Sequence, residues 1–258
     1  MSADPEGTTL DGKIAIVTGA ATGLGFAIAE QLTMAGAAVV VADIDEAGAH
    51  AAADKLAGAE AVRCDVRDED RVAELIAATV DRRGRLDIMV CNAGVGTVKP
   101  LVEMPLAEWR EVLGVDLDGV FLCTKHAGRA MAAQGGGCIL TISSIKAFGG
   151  SPAIGHYGAA KAGVVSLTKT AALELRAHGV RVNAICPGWV ATDMVSDHRD
   201  DLESVLGVDF SGYIDHLQGR LGEPEEVARL AVFLASDRAR FSSGAAYIVD
   251  GGATASLV

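Results

Sequence analysis

Short β-branched apolar runs alternate with helix-length stretches along almost the whole chain, and this rhythm restricts the fold more than any other feature. The pattern predicts strands at 14–17, 38–42, 61–63, 86–90, 137–142, 181–185 and 246–249. Between them it predicts helices over 23–35, 45–56, 68–83, 107–133, 154–178 and 225–235. Strands that are nearly continuous in apolar residues, each followed by a helix, belong to a parallel sheet covered on both faces. Right-handed crossovers then wind the chain into a doubly wound, Rossmann-type α/β sheet. The length of 258 residues, with no linker and no internal repeat, is most simply one domain over 1–258. One stretch breaks the rhythm: 191–222 is polar, charged and dotted with glycine, which predicts an irregular substrate-binding loop at about 190–222.

The first strand runs into Thr18-Gly-Ala-Ala-Thr-Gly-Leu-Gly25. Glycines at 19, 23 and 25 let the backbone approach a pyrophosphate, and the helix that follows offers free N–H groups and the positive end of its dipole. The spacing is Gly-x-x-x-Gly-x-Gly rather than Gly-x-Gly-x-x-Gly. Asp43 ends the second strand, 18 residues beyond Gly25, where an acid accepts hydrogen bonds from a ribose diol and repels a 2′-phosphate. No Arg or Lys lies in the turn or beside Asp43, so the cofactor expected is NAD. Read without ligand, Asp43 is a solvated loop acid or a helix cap.

Tyr157 and Lys161 are separated by three small residues. Four helical residues turn through roughly 400°, so both side chains share one face about 6 Å apart along the axis. A free phenol titrates near 10. A cation about 4 Å away, at an effective dielectric of about 20, favours the phenolate by up to roughly 4 kcal/mol, which would bring it into the range of a general acid or base. Alone, such a pair is an ordinary surface pair. Ser144 closes the fifth strand 13 residues before Tyr157, and strand C-termini converge on the ligand crevice of a doubly wound sheet. A hydroxyl, a phenol and an ammonium can therefore meet beside the cofactor.

These pieces in this order resemble the short-chain dehydrogenase/reductase family from about Leu10 to Gly252. The carriers are the turn Thr18–Gly25, Cys91-Asn-Ala-Gly94, Ser144, Tyr157-x-x-x-Lys161, Pro187-Gly188 and Asp250-Gly-Gly252. The resemblance implies a seven-stranded parallel sheet and hydride transfer between NAD(H) and a secondary alcohol or ketone. It implies Tyr157 as the proton donor or acceptor, Lys161 lowering its pKa and holding the nicotinamide ribose, and Ser144 stabilising the substrate oxygen. Gly19, Thr22, Gly23, Leu24 and Gly25 would hold the pyrophosphate. Asp43 and Ile44 would lie at the ribose, Asp65 and Val66 at the adenine, and Asn92, Ala93 and Gly94 along the cofactor. Pro187, Gly188, Val190 and Thr192 would cradle the nicotinamide. The chain departs from the family at Asp116, where Asp116-Leu-Asp-Gly-Val-Phe121 carries an aspartate in place of the usual asparagine. That asparagine helps hold a water in a proton relay through Lys161. Asp116 is therefore expected to keep activity and modify its pH profile.

Trp189 and Met194, with Phe148 and Val190, predict an apolar substrate wall that Phe210 and Tyr213 close over. His156 reads as a pocket wall or a surface residue. Such walls favour a secondary alcohol or ketone of moderate size, cyclic, steroid-like or acyl-chain-like, with a small polyol as the other possibility. The alternatives are a non-catalytic NAD-binding scaffold and a 3-oxoacyl-thioester reductase. The family further implies a homotetramer, packed through the long helices and through 244–258.

A net charge of −12 argues against nucleic acid and anionic membranes as partners. Five cysteines without a CxxC pair and six scattered histidines predict free thiols in a reducing compartment and no metal. The polar N-terminus lacks the order of a signal peptide, so the expected location is the cytoplasm.

Overall fold

The computed structural model describes residues 9–255. The N-terminus through residue 8 and the last three residues of the expected 244–258 interface lie outside the described residues.

The chain opens with β1 (Ile14–Thr18), α1 (Gly23–Met34), β2 (Ala38–Asp43), α2 (Glu46–Ala53), β3 (Glu60–Arg63), α3 (Glu69–Arg83) and β4 (Ile88–Cys91). It continues through α4 (Leu106–Leu113), α5 (Val120–Gln134), β5 (Gly137–Ile142), α6 (Gly155–Leu175) and β6 (Val180–Pro187). It finishes with α7 (Asp193–Asp197), α8 (Arg199–Leu206), α9 (Phe210–Gln218), α10 (Pro224–Ala235) and β7 (Ala246–Val249). The seven strands form one parallel sheet in the order β3-β2-β1-β4-β5-β6-β7. The order reverses between β1 and β4, which opens a crevice at their C-terminal ends.

Alternate strand residues feed two cores. Ala15, Val17, Val39 and Val41 face α1, α2 and α10, where Ile28, Leu32, Ala231 and Leu234 are buried. Ile16, Val40, Met89 and Ile139 face α3, α5 and α6, where Val72, Leu75, Met131 and Val164 are buried. Each face hides a continuous apolar layer, so the strands read as unbroken hydrophobic runs. Local signals set the helix ends. The Asp68 carboxylate accepts from the N–H groups of Asp70 and Arg71 to start α3, and Gly84, at φ +79°, stops it.

Three expectations need correction. The helix expected over 107–133 runs without interruption over 106–134, but its middle, Gly114–Gly119, is a π-helical turn between α4 and α5. Period-3.6 patterning cannot reveal the extra residue that a π turn absorbs. The helix expected to reach His178 ends at Leu175 and tightens into a 3-10 turn, Arg176–His178. The stretch 191–222 is not irregular, because it contains α7, α8 and α9. Asp209 caps α9, and Leu202, Phe210 and Ile214 bury a small core against Trp189. The helices escaped notice because each is short and its apolar face rests only on this local core.

Candidate active site

The turn after β1 is shaped by contacts that exclude side chains. Gly19 has φ +63°, and a Cβ there would lie 2.7 Å from the Cα of Ala93. A Cβ on Gly25 would collide with the Gly19 carbonyl oxygen. Asn92 ties β4 to this turn: its Nδ2 donates to the carbonyls of Thr18 at 2.9 Å and Gly19 at 3.0 Å. The Thr18 hydroxyl in turn accepts from the N–H groups of Asn92 and Ala93. Helix α1 then starts at Thr22 with no side-chain cap and no acid in its first turn. Its first N–H groups therefore face the crevice without an internal acceptor.

This crevice is a cavity of about 440 Å³. Gly19, Thr22, Gly23, Leu24 and Gly25 line it, as do Asn92, Ala93 and Gly94 just after β4. Pro187, Gly188, Val190 and Thr192 line it from β6 onward. Asp43, Ile44, Asp65 and Val66 line it near the ends of β2 and β3. Two of these acids are already engaged. Asp43 accepts from the N–H groups of Ala21 and Asp45, each at 3.0 Å, so it shapes the turn as well as facing the cavity. Asp65 is clasped by Arg67, with Nη2 2.7 Å from Oδ2, and this holds its carboxyl below the ordinary range. Arg67 itself lines the cavity, as do Glu111 and Val115, none of which the turn motif points to. A cavity of this size, a side-chain-free phosphate turn and a facing acid suit a dinucleotide.

Ser144, Tyr157 and Lys161 all line the same cavity. Ser144 follows β5 and its Oγ accepts from the Lys146 N–H at 3.1 Å. Ser143 is buried and donates to the Lys161 carbonyl at 2.8 Å, pinning α6 to the end of β5. Lys161 is buried, donates to the Ile142 carbonyl at 3.2 Å, and lies 5.3 Å from the Tyr157 ring centroid. Asp116 sits in the π turn with no exposed surface. Its Oδ1 accepts from the Val95 N–H at 2.8 Å and its Oδ2 stands 3.0 Å from Lys161 Nζ. Oδ2 meets the ammonium as a charge contact, and no aligned donor among the described residues reaches it.

Burial pushes the Tyr157 phenol above its ordinary pKa, and the Asp116 charge adds to that rise. The Lys161 cation and the Ser144 hydroxyl pull the other way without overcoming it. Lys161 thus pulls in the expected direction, but desolvation outweighs it and Asp116 adds to the rise, so the phenol in the protein alone stays above its ordinary value. Burial also disfavours charge on Lys161, yet Asp116 and Tyr157 together carry it above the ordinary lysine value.

A second cavity of about 100 Å³ adjoins the first. The two share Ser144, Tyr157, Gly188, Met194 and Val195, so the phenol stands at their junction. Trp189 walls the smaller cavity, with Thr97, Val98, Ile145, Ile154 and Leu202. Phe210 and Tyr213 do not close over it. They pack edge-on behind the Trp189 ring at 5.3 and 6.5 Å. Phe148 is half exposed and outside it. His156 is neither wall nor surface: it is fully buried, its Nε2 is 2.7 Å from the Thr97 hydroxyl, and its Nδ1 accepts from the Tyr157 N–H. Proximity in sequence to Tyr157 misleads here, because adjacent helical residues point about 100° apart.

A family model described as enoyl-(acyl carrier protein) reductase matches residues 19–254. The cis-4-hydroxycyclohexanecarboxylate dehydrogenase of Sinomonas cyclohexanicum is 46% identical over 248 residues, spanning 94% of this chain and 97% of its own. The chain belongs to the short-chain dehydrogenase/reductase family. Other members have different names. A 3-oxoacyl-[acyl-carrier-protein] reductase of Synechocystis is 40% identical over 95% of this chain and 98% of its own. An NADP-dependent (R)-specific alcohol dehydrogenase of Lentilactobacillus kefiri is 38% identical, again over 95% and 98%. A short-chain type dehydrogenase/reductase from Mycobacterium marinum has a crystal structure that superposes with a TM-score of 0.89 at 36% identity, covering 97% of this chain and 98% of that one. The family's nicotinamide chemistry agrees with the cradle described above.

Proposed function

We propose that this protein transfers a hydride between NAD(H) and a secondary alcohol or ketone. The observation that carries the proposal is that Ser144 and Tyr157 stand where the large cavity meets the small one, with Lys161 beside them in the large cavity. The bound nicotinamide supplies the two-electron acceptor or donor. This chain's residues handle position and proton. Ser144 donates to the substrate oxygen, and Tyr157 takes the alcohol proton in oxidation and returns it in reduction. Lys161 holds the phenol's field positive, and Asp116 tunes that field. Asp43, facing the cavity with no cation paired to it among the described residues, favours NAD over NADP. Segment 190–222 covers the substrate side, with Trp189 and Met194 in contact with substrate.

The relative from Sinomonas, by its name, oxidises a ring alcohol, and a cavity of about 100 Å³ suits a compact ring rather than a steroid. An apolar cavity that holds benzene is about 150 Å³, larger than this one, so a ring would lie partly across the junction into the large cavity. A second reading, reduction of a 3-oxoacyl thioester, is favoured by the Synechocystis relative and the family model's description. A panel of cyclic and linear secondary alcohols with NAD and NADP, beside acetoacetyl-CoA with NADH and NADPH, separates the two readings. Oxidation of a ring alcohol with NAD is expected. Preference for the thioester would move the assignment to the second reading.

The proposal includes a homotetramer in the cytoplasm. Leu101, Val102, Phe121 and Leu173 are exposed around α4, α5 and α6, and all five cysteines are free and buried. Light scattering that gave a monomer would remove the tetramer. Among the described residues no helix is long and apolar enough to cross a membrane.

A further inference from the structure

The smaller cavity has an asymmetric charge. The chain carries 34 acids against 22 Lys and Arg, yet no Asp or Glu lines this cavity. Lys146 does, together with His198. His198 is already near an acid, with Nδ1 4.0 Å from Asp201 Oδ2. Lys146 has none: among the described residues no carboxylate comes within ion-pairing distance of its ammonium. Among the described residues its ammonium meets the Trp189 ring, whose centroid lies 5.1 Å from Nζ. Both residues belong to the cavity wall, two and forty-five positions from Ser144 in sequence.

A half-buried cation facing an apolar cavity without a counter-ion is costly to maintain, and a ring face compensates only in part. Burial already presses the Lys146 ammonium below its ordinary pKa. A neutral substrate would leave that cost in place. An anionic substituent would remove it, and would also be the one kind of polar group that such a wall recognises in an otherwise acidic protein.

We infer that Lys146 is a specificity residue that holds a carboxylate of the substrate, so that the preferred substrates are compact hydroxy acids and the matching oxo acids. The inference rests on the alcohol/ketone reading above. The alcohol carbon sits at Ser144 and Tyr157, and the carboxylate reaches the Lys146–Trp189 side of the same small cavity. The small cavity takes only part of such a substrate, so the acid is one whose alcohol, at the junction of the two cavities, and carboxylate, at Lys146, lie on one small ring or a short chain. A phosphate on a long thioester arm has no place inside the small cavity.

The test compares the parent with Lys146→Met and Lys146→Arg. The substrates are 4-hydroxycyclohexanecarboxylate, its neutral carboxamide, and cyclohexanol, each with NAD. A charge-assisted contact is worth about 1.5–3 kcal/mol, so Lys146→Met should lower kcat/KM for the acid by about 10- to 100-fold, chiefly through KM. It should leave cyclohexanol within about twofold, since that alcohol offers Lys146 no acceptor, and should cost the carboxamide, which keeps an acceptor without the charge, less than the acid. Lys146→Arg should keep a large part of the acid activity. Titration calorimetry of cyclohexanecarboxylate into the enzyme with NADH should show the same loss in Lys146→Met, and this arm needs no turnover. Equal losses on acid and neutral substrates, or no loss on the acid, would overturn the assignment of Lys146. A parent enzyme that prefers acetoacetyl-CoA or the neutral alcohols would overturn the hydroxy-acid class. Absence of any alcohol oxidation with NAD or NADP would instead sink the underlying oxidoreductase reading, and calorimetry would still decide Lys146.

Discussion

Lys161 Nζ stands 3.0 Å from Asp116 Oδ2, with both side chains buried. The pair joins the π turn between α4 and α5 to the start of α6, and so fixes the ammonium beneath the Tyr157 ring.

The Asp116 charge sets the direction of a pH effect. Asp116 raises both Tyr157 and Lys161, so Asp116→Asn should lower both. In alcohol oxidation the phenol must accept a proton, and the rising limb of the pH–rate curve should therefore appear at lower pH in the variant. In ketone reduction the falling limb should move the same way. A curve superposable on the parent's would show that the carboxylate does not reach the proton transfer.

The same pair predicts a stability pattern. Lys161→Met leaves Asp116 buried without its partner, which typically costs about 3–5 kcal/mol, measurable by urea unfolding. Adding Asp116→Leu should recover most of the loss, because an apolar pair of similar volume replaces a buried ion pair at little cost. In the parent the folded Lys161 value lies above the unfolded one. Its contribution is therefore fully present at neutral pH and is lost only as pH rises through that elevated value.

Tyr157→Phe removes the phenol hydroxyl at the cavity junction and nothing from the phosphate turn. Turnover should fall by about 10²- to 10⁴-fold, with NADH affinity by fluorescence unchanged within about twofold. Near-parental turnover would remove the phenol from the chemistry.

Asp43 faces the cavity while accepting from two backbone N–H groups. Asp43→Asn keeps an acceptor and discards the charge, so the ratio of kcat/KM for NAD over NADP should fall by about tenfold or more. A parent enzyme that prefers NADP would contradict the role given to this carboxylate.

Gly25→Ala places a methyl group against the Gly19 carbonyl and Asn92. The turn must shift, and cofactor affinity measured by calorimetry should drop by at least about tenfold, while the two cores, which the turn does not support, keep circular dichroism near the parent's.

Much of this was legible without coordinates. The apolar runs that become β1 to β7 are nearly continuous because both faces of the sheet are covered, and that made the parallel sheet readable. The turn Thr18–Gly25 was readable because close approach of backbone to backbone admits only glycine. The π turn at Gly114–Gly119 was not, since one residue absorbed locally leaves the helical period almost intact. Nor were α7 to α9, whose packing depends on Trp189 and on one another.

The sequence by itself determined the sheet, the phosphate turn and the order Ser144, Tyr157, Lys161, because these follow from local periodicity and fixed spacing. Only the tertiary structure decided what surrounds them. Asp116 is 45 residues from Lys161 in the chain, yet meets it directly, and burial of Tyr157, with the Asp116 charge adding to it, outweighs the pull of Lys161 on the phenol. Lys146 and Trp189 share one wall only because β5 and β6 lie side by side. Burial and pairing between distant segments set electrostatics, and neither is a property of a neighbourhood in sequence.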